Sequence, residues 1–272
     1  MSRLPLTFAC GSLTLAGTLD TAPGKTGLLI VSGGNEVRSG AFRSQARIAA
    51  RIARAGFPVM RFDRRGIGDS EGENRGFRST AKDMASALAA FRAIAPDVER
   101  VVAFGNCDAA SALMLYGANM GDEGLAGLVL ANPWTFEEDT TGGDTAHAPP
   151  PASSIRARYA AKLKNPREVA RLLSGGVDLR KLAKGLSASV KPTPAPTGLV
   201  DDMRAGLAAY SGHVAILLAS ADRTAQAFEA QWEGSDPRLA RCEGANHAFG
   251  APEHFNWLEA QLLKALRKPV SG

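Results

Sequence analysis

The feature that most restricts this chain is a series of short, continuously apolar runs, each stopping at a small or polar residue before a helical pattern begins. Gly27 to Ser32 (GLLIVS), Pro58 to Phe62 (PVMRF), Val101 to Phe104 (VVAF), Leu125 to Ala131 and Val214 to Ala219 (VAILLA) are too short for core helices. A strand buried on one face alternates apolar with polar residues. These runs do not alternate, so both of their faces must be covered. Helical patterns fall between them, from Arg43 to Ala55 with Gly56 as a stop signal, from Thr80 to Ile94, and from Ala109 to Met120. Strand–helix alternation of this kind predicts an α/β domain, with a mostly parallel sheet and helices on both faces. Two strands at Leu4–Phe8 and Leu13–Leu19, joined at Cys10-Gly11, precede the series. A weaker strand at Arg238–Cys242 and a helix at Phe255–Leu266 close it.

The rhythm breaks once. Thr135 to Ala152 is polar and rich in Gly and Pro, Ile155 to Ala188 is helical and basic, Lys191 to Thr197 (KPTPAPT) reads as a linker, and Asp201 to Ala209 is helical again. We therefore expect a helical cap insertion over 135–212 between two core segments, 1–134 and 213–272. An insertion at the carboxyl ends of parallel strands covers the site located there.

Composition narrows the function. The chain has 272 residues, 45% hydrophobic and 22% charged, which suits one globular α/β domain carrying an insertion. The formal net charge of +5 is spread along the sequence without a basic run, and we read it as a solvated surface, not a nucleic-acid site. Cys10, Cys107 and Cys242 are odd in number and widely spaced, which argues against disulfides and a zinc site and for a reducing, cytoplasmic address. Thr7, Ser12, Thr14 and Thr18 interrupt the apolar start, so it lacks a leader's apolar stretch. No run approaches the length of a membrane span, leaving peripheral association as the only expected route to a membrane.

The chemistry concentrates at Gly105-Asn106-Cys107-Asp108-Ala109, which follows the VVAF strand and precedes a helix. A nucleophile on a sharp strand–helix turn needs small neighbours, because a side chain at position 105 or 109 would collide with the strand or helix. This is the strand–turn–helix context of a nucleophile elbow, with cysteine at the nucleophile position and alanine in place of the second glycine. The attacking species is then a thiolate. An ordinary thiol titrates near pH 8.5, and a helix N-terminus with a neighbouring imidazolium favours the ionised form. On this fold the acid and histidine follow the nucleophile in that order. Asp222, after VAILLA, and His247, in GANHAFG, fit. His247 would exchange protons with sulfur and leaving group, and Asp222 would orient its ring. Asp222 also reads as a cap for the helix after it.

An oxyanion hole needs two N–H donors. We assign one to Asp108 and the other to the loop after GLLIVS, at Gly34 or Asn35. Gly34, Arg38 and Arg43 are candidates to contact substrate, the two arginines through an anionic group. Asp63 to Ser70 (DRRGIGDS) reads as a surface turn with internal salt bridges. His147, His213 and His254 have no ligand-like spacing, so neither a metal nor another cofactor is expected.

These segments also resemble a known family. RFDRRGIGDSEG is similar to the Asp-x-Arg-Gly-x-Gly-x-Ser segment common to α/β-hydrolases. The stretch SGGNEVRSGAFRSQARIAARIARAGFPVMRFDRRGIGDSEG, together with GNCDAAS, RARYAAKLKNPREVARLLSGGVDL and SADRTAQAF, resembles exosortase A system-associated hydrolases of type 1, insertion included. The resemblance implies an α/β-hydrolase fold, Cys107 as nucleophile, Asp222 as acid, His247 as base, and work beside a bacterial membrane sorting and exopolysaccharide system. Phe42 stands where that family often has histidine, and Asn35-Glu36-Val37 departs from its usual Pro-Gln-Tyr-like stretch, so the substrate can differ.

Several functions stay open at this level. The leading one is hydrolysis of a small-molecule or carrier-bound ester or thioester through an acyl-cysteine. Acyl transfer to an alcohol or amine would use the same triad. A non-catalytic binding protein on the same fold is a third reading. A dienelactone-hydrolase-like enzyme is a fourth, although a small open site needs no cap.

Overall fold

Strand β5 (Arg100–Asn106) runs through the middle of the sheet and delivers Cys107 at its carboxyl end. Its companions are β1 (Arg3–Cys10), β2 (Leu13–Asp20), β3 (Thr26–Val31), β4 (Val59–Phe62), β6 (Gly127–Ala131), β7 (His213–Ala219) and β8 (Leu239–Cys242). This computed structural model describes residues 2–120, 124–136 and 198–268. The eight strands pair in the order β1-β2-β4-β3-β5-β6-β7-β8. From β4 to β8 every pairing is parallel, whereas β1 with β2 and β2 with β4 are antiparallel. The reversal follows from connection length. The turns after β1 and β2 are too short to carry a crossover helix, so the chain must double back.

The helices are α1 (Ser44–Arg54), α2 (Ala81–Ile94), α3 (Asp108–Tyr116), α4 (Gly198–Ala208), α5 (Arg223–Glu229) and α6 (Pro252–Leu266). They lie on both faces of the sheet, as the unalternating strands require. Leu29 and Val31 of β3 pack with Met84, Leu88 and Phe91 of α2 and with α3. Leu28 and Ile30 point the other way, onto Ile48 and Ile52 of α1 and Leu258 and Leu262 of α6. This is the period-two division of a doubly covered strand.

Three helices have boundaries that differ from the sequence expectation, α4 among them, which starts at Gly198 and not at Asp201. Helix α3 stops at Tyr116 and passes into a 3-10 turn over Gly117–Asn119, where glycine and asparagine are weak helix formers. Helix α6 starts earlier than expected, with Pro252 in its first turn, where the missing N–H costs nothing.

The segment 137–197, most of the expected insertion with its basic helical stretch and His147, lies outside the described residues. Helix α4 falls within the range assigned to that insertion, yet Leu199, Val200, Met203 and Leu207 are buried in the same core as α2 and α3. Among the described residues no helix is long and apolar enough to cross a membrane. If α4 is part of the core, Met203→Ala should cost about 2–5 kcal/mol in urea unfolding. A loss below about 1 kcal/mol, the range of surface changes, would place α4 outside it.

Candidate active site

Cys107 sits between β5 and α3 with φ 63° and ψ −130°, a conformation that L-residues rarely adopt. Such backbone strain costs on the order of 1–3 kcal/mol and persists only when packing enforces it. The enforcement is visible in the neighbours. A Cβ on Gly105 would lie 2.7–2.8 Å from the backbone of Ala109 and Ala110. One on Gly33 would lie 2.4 Å from the Asn106 carbonyl oxygen. Both positions exclude any side chain, which lets strand, helix and the loop after β3 close around the turn. Ala109, in place of the usual glycine, is fully buried and fits.

The three residues expected as a triad come together. Asp222 begins α5 as its N-cap, and its Oδ2 accepts the backbone N–H of Ala225 at 3.1 Å. The same oxygen lies 2.9 Å from Nδ1 of His247. The capping reading and the triad reading of Asp222 are therefore one arrangement, because the cap bond holds the carboxylate that faces the imidazole. The pKa of the His247 imidazole is pushed up to about 10. Burial works against that rise, and it is outweighed by the hydrogen bonds to Asp222 and Cys107 and by their charges. The other described cysteines are in different surroundings. Cys10 is buried, and Cys242 is buried with its thiol pushed up by burial and by Glu243 and Glu253.

A buried asparagine that the sequence reading passed over ties this assembly together. Asn132 follows β6, has φ 44° and is fully buried. Its Nδ2 donates to Oδ1 of Asn106 at 2.9 Å and to the His247 carbonyl at 3.2 Å. Its Oδ1 accepts the Ala219 N–H at 2.8 Å. Asn106 Nδ2 donates to the same His247 carbonyl at 3.1 Å. One side chain thus joins the segments that carry Cys107, Asp222 and His247. The available signal was an asparagine directly after an apolar strand, in LANPW, where a buried polar group needs partners.

The loop after β3 lies against the elbow, as expected, but its groups are differently engaged. The Gly34 N–H donates to Oδ1 of Asp108 at 2.6 Å, so it is not free for substrate. The Asn35 side chain accepts from Nδ2 of Asn74 at 2.9 Å. The segment Asp63–Ser70 is exposed at Gly66, Gly68 and Asp69, but its ion pairs run outward, to Arg38, Asp83 and Asp108, and are not internal to the turn. Asp63 is fully buried and Arg64 is 2% exposed. Buried carboxylates need compensating cations, and that requirement also corrects the reading of Arg38. Its guanidinium pairs with Asp63 and Asp69 and donates to Thr18, so it does not stand free for an anionic substrate. Arg43 is exposed at the start of α1, next to the left-handed and almost wholly exposed Phe42.

The sequence profile of the Alpha/beta hydrolase family matches residues 28–256. The chain belongs to that family. No curated protein sequence matches it. Among solved structures, the Pyrococcus furiosus esterase Pf2001 superposes on this hydrolase with a TM-score of 0.62 at 10% identity, over 99% of this chain and 92% of the esterase. The alpha/beta hydrolase GrgF from Penicillium sp. sh18 gives 0.61 at 18% identity, over 100% and 99% of the two chains. Est1E from Butyrivibrio proteoclasticus, solved with ferulic acid, gives 0.59 at 15% identity, over 97% and 100%. At these identities the likeness is one of fold.

Two outcomes follow. Replacing Asn132 by Ala should destabilise the hydrolase by about 1–3 kcal/mol, because buried partners lose their bonds. It should also slow alkylation of Cys107, and unchanged melting and alkylation together would remove Asn132 from this role. The folded state favours protonated His247. That contribution to stability is complete below the ordinary pKa of 6.5 and is lost as pH rises through about 10. The stability gap between parent and His247→Gln should therefore be widest below about pH 6.5, narrow as pH rises from there, and be gone above about pH 10, as read by thermal melts across pH.

Proposed function

We propose that this hydrolase cleaves an ester or thioester through an acyl-cysteine formed on Cys107. The observation that supports it is the imidazole of His247, held by the Asp222 carboxylate at 2.9 Å and with its pKa raised by Asp222 and Cys107 together, next to a backbone strained at Cys107. In the first step the Cys107 thiolate adds to the acyl carbonyl carbon. As the tetrahedral adduct collapses, the bond to the alcohol or thiol breaks, and the leaving group takes the proton of the His247 imidazolium. Water then gives a proton to His247 as it adds to the thioester. Collapse releases the acid and returns Cys107 to its thiolate.

Asp222 keeps the ring in the productive tautomer and offsets its charge. The negative oxygen of each adduct would be received by the N–H groups of Asp108 and Asn35. We choose Asn35 over Gly34 because the Gly34 N–H is already bonded to Asp108. The resemblance to exosortase A system-associated hydrolases favours a cytoplasmic setting and a carrier-bound acyl group as substrate, with acyl transfer to an amine or alcohol as the competing fate of the thioester. Arg43 remains a candidate to meet an anionic part of that substrate.

Intact-mass spectrometry after incubation with p-nitrophenyl esters and acyl thioesters should trap an acyl adduct on Cys107. Cys107→Ala should fold, form no adduct and lose turnover, and Cys107→Ser should retain weak activity at most. Full turnover in Cys107→Ala would falsify the mechanism. Adding an amine or alcohol and analysing the products separates hydrolysis from transfer.

A further inference from the structure

The residue after the nucleophile carries a carboxylate, an awkward neighbour for a reaction that builds negative charge beside its own N–H. Asp108 lies at the start of α3, and its Oδ1 accepts the Gly34 N–H at 2.6 Å. Its other oxygen, Oδ2, lies 3.3 Å from Nη2 of Arg64. The same Nη2 donates to the carbonyl oxygen of Gly34. That carbonyl belongs to the peptide unit whose N–H is that of Asn35. In a trans peptide the two groups point in opposite directions. A donor on the carbonyl therefore fixes where the Asn35 N–H aims, and polarises it as a donor. Arg64 is almost wholly buried, with its side chain 3% exposed. Its Nη1 is buried without a hydrogen-bond partner among the described residues. A buried guanidinium left partly unsatisfied is expensive and requires a compensating role.

We propose that Arg64 is the positioning residue of the oxyanion hole. It holds the Gly34–Asn35 peptide by its carbonyl so that the N–H faces the acyl carbonyl, and it neutralises the Asp108 carboxylate that latches this loop to the elbow. The proposal rests on acyl chemistry at Cys107. It adds a residue that touches neither substrate nor sulfur and acts through a peptide group and a charge.

Two reactions of the same sulfur separate this role from a general structural one. Acylation by a p-nitrophenyl ester passes through an oxyanion, and alkylation by iodoacetamide does not. Arg64→Met should lower the acylation rate by about 10²-fold, the loss typical of one oxyanion donor, with KM little changed and a much smaller effect on alkylation. Arg64→Lys, which keeps the charge and a donor, should recover part of that loss. Equal slowing of acylation and alkylation in Arg64→Met would mean collapse of the whole site and would overturn the proposal, as would unchanged acylation.

If Arg64→Met does not fold, Arg64→Lys carries the test alone. An ammonium cannot serve the Gly34 carbonyl and the Asp108 carboxylate as the planar guanidinium does, so acylation should fall by about tenfold with alkylation little changed, and unchanged acylation or equal slowing of both would overturn the proposal. A parent enzyme that forms no adduct on Cys107 overturns both this inference and the acyl-cysteine reading. A parent that is acylated normally, with an indifferent Arg64→Met variant, overturns this inference alone.

Discussion

The site depends on one strained residue. Cys107 is held at φ 63° because β5, α3 and the loop after β3 approach closer than any side chain at 33 or 105 allows. The strain has a geometric return. It lifts the sulfur off the end of the sheet and places it where the segments after β7 and β8 can reach it. The packing energy of a large two-faced core keeps the turn in this state, since local preference alone would relax it.

Around that turn the structure is organised by the cost of burying polar groups. Asn132 is fully buried and gives up nearly all of its bonding capacity to three separate segments, which makes their relative positions interdependent. Asp63, also fully buried, draws Arg38 inward and away from substrate duty. Asp108 draws Arg64 into contact with the loop beside the nucleophile. The cluster at the carboxyl end of the sheet is thus a set of mutually compensated charges and amides, with the half-exposed imidazole of His247 at its edge.

A common arrangement recurs among residues that serve two purposes. Asp222 caps a helix and orients an imidazole with the same oxygen. Asp108 begins a helix and latches a loop through the same carboxylate that Arg64 meets. Such economy is expected where catalytic groups occupy strand–helix junctions, because the unsatisfied N–H groups of a helix start are there already.

Much of this was legible in the residues themselves. Unalternating apolar runs dictated a two-faced sheet, because a strand without a polar face must be covered on both sides. Gly105 and Cys107 between strand and helix marked the elbow, and chain order marked Asp222 and His247. All of these are local signals, carried by neighbours in sequence. What only the tertiary structure decided is non-local. The antiparallel placing of β1 and β2, the burial of Leu199, Val200, Met203 and Leu207 beside α3, the commitment of Arg38 to Asp63, and the meeting of Arg64 and Asn132 with the elbow all join residues far apart in the chain. Whether a charged side chain is solvated, paired or aimed at a reaction depends on which distant segment folds against it, and that follows from three-dimensional packing, not from pattern or spacing.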